Sequence, residues 1–375
     1  MKKILISTAF IGGHQLEYLH HLYIGAVERP ENEYVFLVPE NFHKDSKALS
    51  WIPQVPNISF YIIKSTQTTN SRNIFKKAYY NVKILSFYIK KYQVTDVILI
   101  SLMDYIPFLP FFVSKRVRVT GIIYRIYLYD WKKESILRKL KDALIITMYN
   151  RFKLFYKIMV LNDSPAAMYM NKYFKTDKYK YLPDPIPLLP TYRGCNIREE
   201  LGISSSKTLL LHPGGMLPYK GSLNILKALD KLDMSCCDKI AVIFAGRAKA
   251  IQPTFDQMLV KIKNKVQVLY IEGYISFEKM ADLFVSCDFV LIPYTTNNKS
   301  SGIVGNAAFY QKPVVVAKGG VIGKMVKKGK LGIMLESPTV DNIVDFLENI
   351  PAPSIIKSIY SENHSVKHFN NVLFD

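Results

Sequence analysis

The stretch that decides the fold is TLLLHPGGMLPYKGSLNILKALD, residues 208–230. It opens with an apolar run of strand length, and Gly214 and Gly215 then allow the backbone to approach a neighbour or a ligand closely. Ser222 is a residue type that can cap a helix, and leucines at helical spacing follow it. A strand, a glycine turn with Lys220 and a helix therefore succeed one another, which predicts a βα unit.

The same alternation of short β-branched runs and longer amphipathic runs continues over the rest of the chain. It is typical of parallel α/β structure rather than of a sandwich or a helix bundle. The predicted strands of the first half are Lys3–Thr8, Tyr34–Val38, Ile58–Ile63, Asp96–Ile100, Val117–Ile123, Lys157–Leu161 and Tyr179–Leu182. Those of the second half are Thr208–His212, Ile240–Ala245, Val266–Tyr270, Phe289–Ile292, Pro313–Ala317 and Gly332–Leu335. The clearest predicted helices are Leu16–Val27, Ile74–Lys91, Glu134–Asn150 and Val340–Asn349.

The fold class is therefore α/β, with two Rossmann-like domains that we expect to face each other across a cleft. The length of 375 residues also favours two domains, because it exceeds what one hydrophobic core usually supports. A proline-rich segment beginning with PDPIP separates the two series of strands. The predicted limits are an N-terminal domain over 1–186, a linker over 187–206 and a C-terminal domain over 207–355. We expect the last segment, 356–375, to pack back on the N-terminal domain.

The composition excludes several classes of protein. Apolar residues make up 49% and charged residues 21%, which rules out disorder, collagen and coiled coil. The four cysteines have no CxxC spacing, so they predict neither a disulfide framework nor a zinc site and fit a reducing cytoplasm. No run approaches bilayer-spanning length, and the apolar start predicts a first strand rather than a signal peptide.

The formal charge of +20 is concentrated in the first half of the chain. Residues 72–180 contain 22 Lys and Arg against 7 Asp and Glu, an excess of 15. Such a surface suits nucleic acid, an anionic membrane or an acidic substrate. Because no nucleic-acid-binding module is recognisable, we expect no nucleic-acid partner. Basic residues alternate with apolar ones through KKYQ, FFVSKRVR, RKLKDALIITMYNRFKLFYK and NKYFKTDKYK, which predicts peripheral membrane association, with merely solvated helix faces as the alternative.

Four segments of the second half carry groups suited to a phosphate or to a nucleobase. The turn HPGGMLPYKG combines free N–H groups, a helix dipole and the amine of Lys220. The segment NNKSSGIVGN, residues 297–306, places hydroxyls and N–H groups at a second helix start. FAGRAK and IEGYIS follow two further strands, where Arg247 can hold a phosphate and Tyr274 can meet a nucleobase. Each segment alone is also compatible with an ordinary βα turn.

The order of these motifs resembles the C-terminal domain of GT-B glycosyltransferases, in particular the large retaining group 1 that uses nucleotide-sugar donors. The matching elements are the KG-helix, a strand ending in AG, EGY and its helix, CDFVLIPY, a helix of small residues, KPVVVAKGGV and KGKLGIML. The first half is similar in outline through Gly12 and Gly13 and through KIMVLNDS and YLPDPI. The resemblance implies that the donor binds mainly to the second domain and the acceptor to the first, without an obligatory metal.

The segments described above, together with the resemblance, give the predicted site residues. The predicted donor-binding residues are Gly214, Gly215, Lys220, Gly246, Arg247, Tyr274, Asn298, Ser300, Ser301, Gly302, Ile303, Val304 and Asn306. Met216 stands where the family usually has an arginine, and the pair of family glutamates falls on Asn298 and Asn306. An amide still hydrogen-bonds a sugar or ribose hydroxyl, although it accepts less strongly than a carboxylate.

On the acceptor side, Gly12, Gly13 and Arg125 are predicted to contact the acceptor, Arg125 because it lies near the position of a family histidine. His14, Asp104 and Asp130 are the candidate catalytic residues, since each follows a predicted strand and can meet an acceptor hydroxyl. The unperturbed pKa of histidine is the best suited to proton transfer. An exposed polar loop residue is the alternative for each.

The resemblance implies a retaining glycosyltransferase that moves a sugar from a nucleotide-diphosphate sugar to a glycan or lipid-linked acceptor in bacterial surface polysaccharide synthesis. No cofactor is expected beyond the donor substrate. The expected location is cytoplasmic, on the inner face of the plasma membrane. The alternative is a non-catalytic sugar-nucleotide-binding or scaffold subunit of a glycan assembly complex. An epimerase of the same fold would need carboxylates around the sugar, and a dehydrogenase would need G-x-G-x-x-G in the first turn.

Overall fold

A computed structural model describes residues 1–9, 14–44, 55–64, 73–124, 131–132, 134–186 and 195–375, with the backbone alone at residues 14, 43 and 44. These residues form two compact units. The first unit is Met1–Pro183 together with Val366–Asp375, and the second unit is Asp184–Ser365.

The described strands of the first unit form one parallel seven-stranded sheet, in the order β3-β2-β1-β4-β5-β6-β7. The strands are β1 (Lys3–Ser7), β2 (Glu33–Pro39), β3 (Ile58–Ile63), β4 (Asp96–Leu99), β5 (Arg118–Ile123), β6 (Phe155–Leu161) and β7 (Tyr179–Leu182). The helices are α1 (His14–Val27), α2 (Ile74–Tyr92), α3 (Leu109–Phe112), α4 (Ile136–Arg151) and α5 (Ser164–Phe174). Short 3-10 turns lie at Glu40–Lys44 and Leu102–Tyr105.

The second unit has one parallel six-stranded sheet in its described residues, in the order β10-β9-β8-β11-β12-β13. The strands are β8 (Thr208–Pro213), β9 (Ile240–Ala245), β10 (Gln267–Ile271), β11 (Phe289–Ile292), β12 (Val314–Ala317) and β13 (Gly332–Leu335). The helices are α6 (Ile197–Glu200), α7 (Ser222–Lys231), α8 (Met234–Cys237), α9 (Gln252–Ile262), α10 (Phe277–Ser286), α11 (Gly302–Phe309), α12 (Gly320–Gly329), α13 (Val340–Glu348) and α14 (Tyr360–Asn363). A 3-10 turn covers Pro218–Lys220.

The last helix, α15 (Val366–Phe374), is part of the first unit and packs on α1. Phe369 is fully buried there, with its ring 5.2 Å from that of Tyr18. The side-chain amide of Asn370 donates to the carbonyl of His21 at 2.7 Å. Burying a large side chain such as Phe369 stabilises a fold by roughly 1.5–3 kcal/mol, so α15 is an integral part of the first unit's core.

The segment before β8 differs from the expected linker. Residues 187–194 lie outside the described residues, but residues 195–206 include α6 and belong to the second unit. Arg198 accounts for this order, because its guanidinium pairs with Asp288 at 2.6 Å and donates to the carbonyls of Ser204, Lys207 and Ser286. A partly buried guanidinium with this many partners holds the segment against the sheet.

Every predicted strand is present, with ends that differ from the prediction by at most two residues. The predicted α/β class with two Rossmann-like units is therefore confirmed. In each sheet the order of the strands reverses beside its first strand, between β1 and β4 and between β8 and β11. These are the topological switch points at which open α/β sheets bind ligands. No helix in the described part of the chain is long and apolar enough to span a membrane.

Candidate functional site

The candidate site lies at the switch point of the second unit, where β8 and β11 are neighbours. Both strands end at this edge because the sheet is parallel. The turn after β8 begins with Gly214, and the segment after β11 begins with Pro293. Helix α11 starts soon after β11, so its amino end belongs to the same edge. The two segments that the sequence singled out as anion-binding are thus neighbours.

Glycines at positive φ fix the turn against its surroundings. Gly221 has φ 81°, and a Cβ there would lie 2.2 Å from the carbonyl oxygen of Pro293. Gly246 has φ 145°, and a Cβ there would lie 2.3 Å from the carbonyl oxygen of Gly214. No side chain fits at either distance, so glycine is required for these close approaches.

Backbone hydrogen bonds join the turn after β8 to the turn after β9. The N–H of Gly214 donates to Ala245 at 2.8 Å, and the N–H of Met216 donates to the carbonyl of Arg247 at 2.8 Å. The side chain of Met216 is fully buried in the apolar core. It fills the family's arginine position but cannot contact an anion.

Lys220 supplies the cation of the site. Its Nζ lies 3.2 Å from where a Cβ on Gly214 would be, and 5.5 Å from the ring centre of Tyr294. Burial lowers the pKa of this amine. In the described part of the chain no carboxylate pairs with it. A partly desolvated amine without a counter-charge is a favourable position for an anionic ligand.

His212 supports the turn from below. One ring nitrogen, Nδ1, lies 2.9 Å from the carbonyl oxygen of Leu291, and the other, Nε2, lies 2.8 Å from the hydroxyl of Ser222. Because a carbonyl only accepts, Nδ1 carries the proton and Nε2 accepts from Ser222. Burial lowers the pKa of His212 to about 4, so the ring is neutral at neutral pH.

The prediction that Ser222 caps α7 is wrong. Gly221 occupies the cap position, and Ser222 is the first helical residue, with its hydroxyl committed to His212. The hydroxyl is fully buried and therefore unavailable to a ligand.

The amino end of α11 faces the same edge. Ser301 is the residue before the helix, and its hydroxyl lies 3.1 Å from that of Tyr294. Gly302 and Ile303 form the first turn, whose N–H groups have no acceptor within the helix. The Cδ1 atom of Ile303 lies 3.6 Å from the Cβ position of Gly214, next to Lys220. A helix start and an amine therefore lie side by side, which suits a phosphate group.

Tyr219 and Lys299 belong to the site although the sequence reasoning missed them. The ring of Tyr219 packs edge-on against that of Tyr294, with centroids 5.6 Å apart. The Nζ atom of Lys299 lies 3.8 Å from the centroid of Tyr219. Burial, and secondly the charge of Lys220, lower the pKa of Lys299. Both residues lie inside the quoted motifs, so the sequence could have placed them near the site. It could not have predicted that their side chains contact each other.

Two asparagines occupy the positions of the family glutamates. The side-chain oxygen of Asn298 accepts a hydrogen bond from the hydroxyl of Thr296 at 2.9 Å. The side-chain oxygen of Asn306, on α11, is buried and has no hydrogen-bond partner among the residues that the structure describes. A buried amide oxygen without a donor is costly, and a ligand hydroxyl would satisfy it.

Other predicted donor-binding residues are at the rim of this edge. Gly215, Arg247 and Tyr274 are exposed, and Ser300 is partly buried just before α11. The structure thus brings Gly214, Lys220 and the start of α11 together, and it leaves the side chains of Arg247 and Tyr274 in solvent. Val304 is fully buried, so only its backbone can take part.

Most predicted residues of the first unit are not described. Gly12, Gly13, Arg125 and Asp130 lie outside the described residues, and of His14 only the backbone, at the start of α1, is described. In the described part of the chain, no group of His, Cys, Asp and Glu side chains could hold a metal ion.

Asp104 lies in the 3-10 turn that follows β4, at the switch point of the first sheet. Its carbonyl accepts a hydrogen bond from the amide of Asn81 at 3.0 Å. Burial raises the pKa of the Asp104 carboxyl group, opposed by a hydrogen bond from Ser101 and by the charge of Lys77. A carboxyl group with a raised pKa at a switch point is a candidate acid or base.

Comparison with known proteins is consistent with this geometry. Residues 195–351 match the family model of glycosyl transferases group 1. Comparison with curated proteins gives no match in sequence.

Many solved structures share the fold. HepE of Anabaena in complex with UDP-glucose is 15% identical, with a TM-score of 0.68 over 100% of this chain and 98% of that one. WaaG, a glycosyltransferase involved in lipopolysaccharide biosynthesis, is 14% identical, with a TM-score of 0.64 over 98% and 95%. A UDP-forming trehalose-phosphate synthase of Burkholderia vietnamiensis is 9% identical, with a TM-score of 0.72 over 99% and 98%.

The fold is thus the GT-B fold, with two Rossmann-like units. Residues 195–351 match the model of the glycosyl transferases group 1 family, so the resemblance predicted from the sequence motifs is confirmed.

Proposed function

We propose that the protein is an active, retaining glycosyltransferase whose second unit binds a nucleotide-diphosphate sugar. The observation that carries this proposal is the partly buried amine of Lys220 beside the start of α11, with which no carboxylate pairs among the described residues. The proposal is supported by the family match of the second unit and by the nucleotide-sugar complex of HepE.

The diphosphate is the group that this edge would hold. Lys220 and the N–H groups of Gly302 and Ile303 stabilise the negative charge that grows on the diphosphate as the sugar leaves. Stabilisation of the departing diphosphate is the largest demand of the reaction. The amine and the N–H groups that provide it are fixed in place before the nucleotide sugar binds. Arg247 and Tyr274 at the rim would contact the distal phosphate and the base.

Asn306 would bind a hydroxyl of the ribose or of the sugar. Its buried oxygen lacks a donor, and a hydroxyl can supply one. An amide binds hydroxyls more weakly than the glutamate of the family does, so the replacement is expected to change donor preference rather than to abolish transfer.

The first unit would supply the acceptor side. Asp104 is the described candidate for proton transfer, and Gly12, Gly13, His14, Arg125 and Asp130 remain predicted contacts. We expect transfer without a cofactor and in the presence of EDTA, because Lys220 and the start of α11 provide the charge stabilisation in this scheme.

The acceptor is a glycan or a lipid-linked glycan of bacterial surface polysaccharide synthesis. The structural likeness to WaaG, which acts in lipopolysaccharide biosynthesis, supports this class of acceptor. A lipid-linked acceptor would bring the protein to the inner face of the plasma membrane, where its basic first half would meet anionic lipids. We expect no nucleic-acid partner.

A non-catalytic sugar-nucleotide-binding or scaffold subunit is the second candidate. The observation that favours it is the pair Asn298 and Asn306 in place of the family glutamates.

The test is transfer from a panel of nucleotide sugars to lipid-linked and oligosaccharide acceptors, with and without EDTA. We expect transfer from at least one donor in both conditions. Tight donor binding without transfer to any acceptor, and without gain when Asn298→Glu and Asn306→Glu are combined, would establish the non-catalytic subunit instead.

A further inference from the structure

Helix α4 carries apolar side chains on its solvent side. They are Ile136, Leu137, Leu140 and Leu144, with exposures of 75%, 81%, 63% and 59%. We call these four residues the leucine face. A surface helix normally directs charged residues outward and its apolar stripe to the core. Here α4 also buries a second stripe, which includes Ile145 and Tyr149, so it is apolar on two sides.

The leucine face is continuous because of its spacing. Residues 136, 140 and 144 follow one another at intervals of four, which places them one above the other on a helix. Contiguous exposed apolar surface of this kind marks an interaction site.

Cations border the leucine face. Lys139 and Lys141 lie on either side of Leu140 in sequence, and therefore on opposite flanks of the stripe. The Nζ atom of Lys141 lies 6.0 Å from the ring centroid of Phe75, which places the start of α2 beside α4. Ile74 and Phe75 are themselves exposed and extend the apolar surface. Helix α2 adds five lysines and no acidic residue.

We infer that the leucine face and the start of α2 form the surface by which this protein docks on an anionic lipid bilayer. The inference rests on the membrane association proposed above and identifies the part of the molecule that makes it. The leucines enter the boundary between headgroups and acyl chains, and Lys139 and Lys141 extend from the flanks to the lipid phosphates. The apolar face explains insertion, and the lysines explain a preference for anionic lipid.

Charge favours a bilayer over a second copy of the chain as the occupant. Two copies packed through their leucine faces would bring the lysines of α2 and α4 together, and like charges repel. An anionic bilayer offers both an apolar layer and the opposite charge. Among the described residues, the other basic segments predicted from the sequence show no comparable row of exposed leucines. Helix α5 does expose three other side chains with apolar surface, Met168, Tyr169 and Tyr173.

The first test is flotation with vesicles of phosphatidylcholine containing about one third phosphatidylglycerol. The variant combines Leu137→Gln, Leu140→Gln and Leu144→Gln, which keep good helix formers. The matched control combines Met168→Gln, Tyr169→Gln and Tyr173→Gln on α5. We expect the partition coefficient to fall about tenfold or more in the α4 variant and to stay within about twofold in the control. Nucleotide binding should be unchanged in both.

A second variant measures insertion directly and does not depend on loss of binding. With Trp51 and Trp131 replaced by Phe, Leu140→Trp should be quenched by brominated lipid, whereas Tyr173→Trp should not. Lys139→Gln with Lys141→Gln should weaken binding to the anionic vesicles.

The outcomes separate this inference from the proposed function. Wild-type binding retained in the α4 variant, or an unquenched Leu140→Trp, overturns the docking surface while leaving membrane association and donor binding standing. A wild-type protein that binds no vesicles overturns the membrane association and, with it, the surface. A wild-type dimer that the α4 variant converts to a monomer assigns the face to a second copy instead. A wild-type protein that does not bind a nucleotide sugar would contradict the proposed function alone.

Discussion

The two switch points of this molecule have the same topology and opposite chemistry. Between β8 and β11 the second unit places the amine of Lys220, which has no paired carboxylate in the described part of the chain, next to the start of α11. Between β1 and β4 the first unit places a carboxyl group, that of Asp104. The order of the strands therefore determines where ligands can bind, and the side chains determine which ligand is bound. In our proposal these ligands are an anion in the second unit and a hydroxyl-bearing acceptor in the first.

The layer beneath each switch point is similar. In the first unit the hydroxyls of Ser7 and Tyr105 are buried 2.9 Å apart, and in the second His212 meets Ser222 at 2.8 Å. Each buried pair ties the first strand of its sheet to a following segment. The difference between the two switch points thus lies in the groups outside these buried pairs, Lys220 with the start of α11 in the second unit and Asp104 in the first.

The largest effect is expected at Gly221, where the second unit depends on a backbone contact. Gly221→Ala should cost about 3 kcal/mol or more of unfolding free energy and abolish nucleotide binding, because its Cβ would overlap the Pro293 carbonyl. Gly202→Ala is the matched control, since Gly202 has φ 61° with open space around it, and it should cost about 1 kcal/mol. Chemical denaturation and calorimetry measure both, and equal costs for the two variants would refute the close contact.

Asp104 tests the acceptor side of the comparison. Asp104→Asn should lower the transfer rate by about 100-fold while leaving nucleotide binding unchanged. Because burial raises the pKa of Asp104, its carboxylate is protonated at a higher pH than that of an ordinary aspartate. As the pH is lowered, wild-type activity should therefore begin to fall at a higher pH. Asp96→Asn, at the opposite end of the same strand, is the control and should retain activity. A variant at position 104 with wild-type turnover would remove this residue from the mechanism.

The pH dependence of stability reports on two buried histidines, His21 in the first unit and His212 in the second. Burial lowers the pKa of both His21 and His212 to about 4, below the ordinary 6.5. As the pH falls from 6.5 to 4, the unfolded chain takes up protons that the folded chain does not. The unfolding free energy should therefore decrease, by up to about 1.4 kcal/mol per pH unit for each histidine.

His212→Gln should make this decrease shallower by removing the contribution of the second unit. Urea unfolding at several pH values between 6.5 and 4 measures the slope. An unchanged slope in the variant would mean that His212 is protonated in the folded protein.

Asn306 should give a smaller effect. Asn306→Ala should leave the stability unchanged or raise it, because the lost oxygen has no partner within the described ranges of the chain. It should weaken nucleotide-sugar binding by about 0.5–1.5 kcal/mol. The control is Asn224→Ala, which removes a hydrogen bond to Pro338 at 2.8 Å and should reduce stability without affecting the donor. A donor affinity that Asn306→Ala does not change would place the ligand elsewhere.

The sequence predicted the strands and the two units, because these depend on local period. From glycine and lysine at fixed spacing it also singled out the two segments that the structure places at one sheet edge, and their binding of an anion stays a prediction. It could not predict that Ser222 would bond His212, since that contact joins a strand end to a helix across the turn. The sequence also did not predict that residues 195–206 are structured, because their structure depends on the pairing of Arg198 with Asp288, which is distant in sequence. The exposure of the leucine face could not be predicted either, since the sequence pattern of a helix with two apolar stripes does not reveal which stripe is buried.

The central claim is that Lys220 holds the diphosphate of the donor, and calorimetric titration with a nucleoside diphosphate tests it most directly. The control is Lys231→Ala, an exposed lysine at the far end of α7 that pairs with Asp341. Lys220→Ala should weaken binding by about 1.5–3 kcal/mol, the usual cost of losing one charge-assisted hydrogen bond, while the control binds as the wild type does. Equal affinity of Lys220→Ala and wild type would contradict the assignment of the diphosphate to this site.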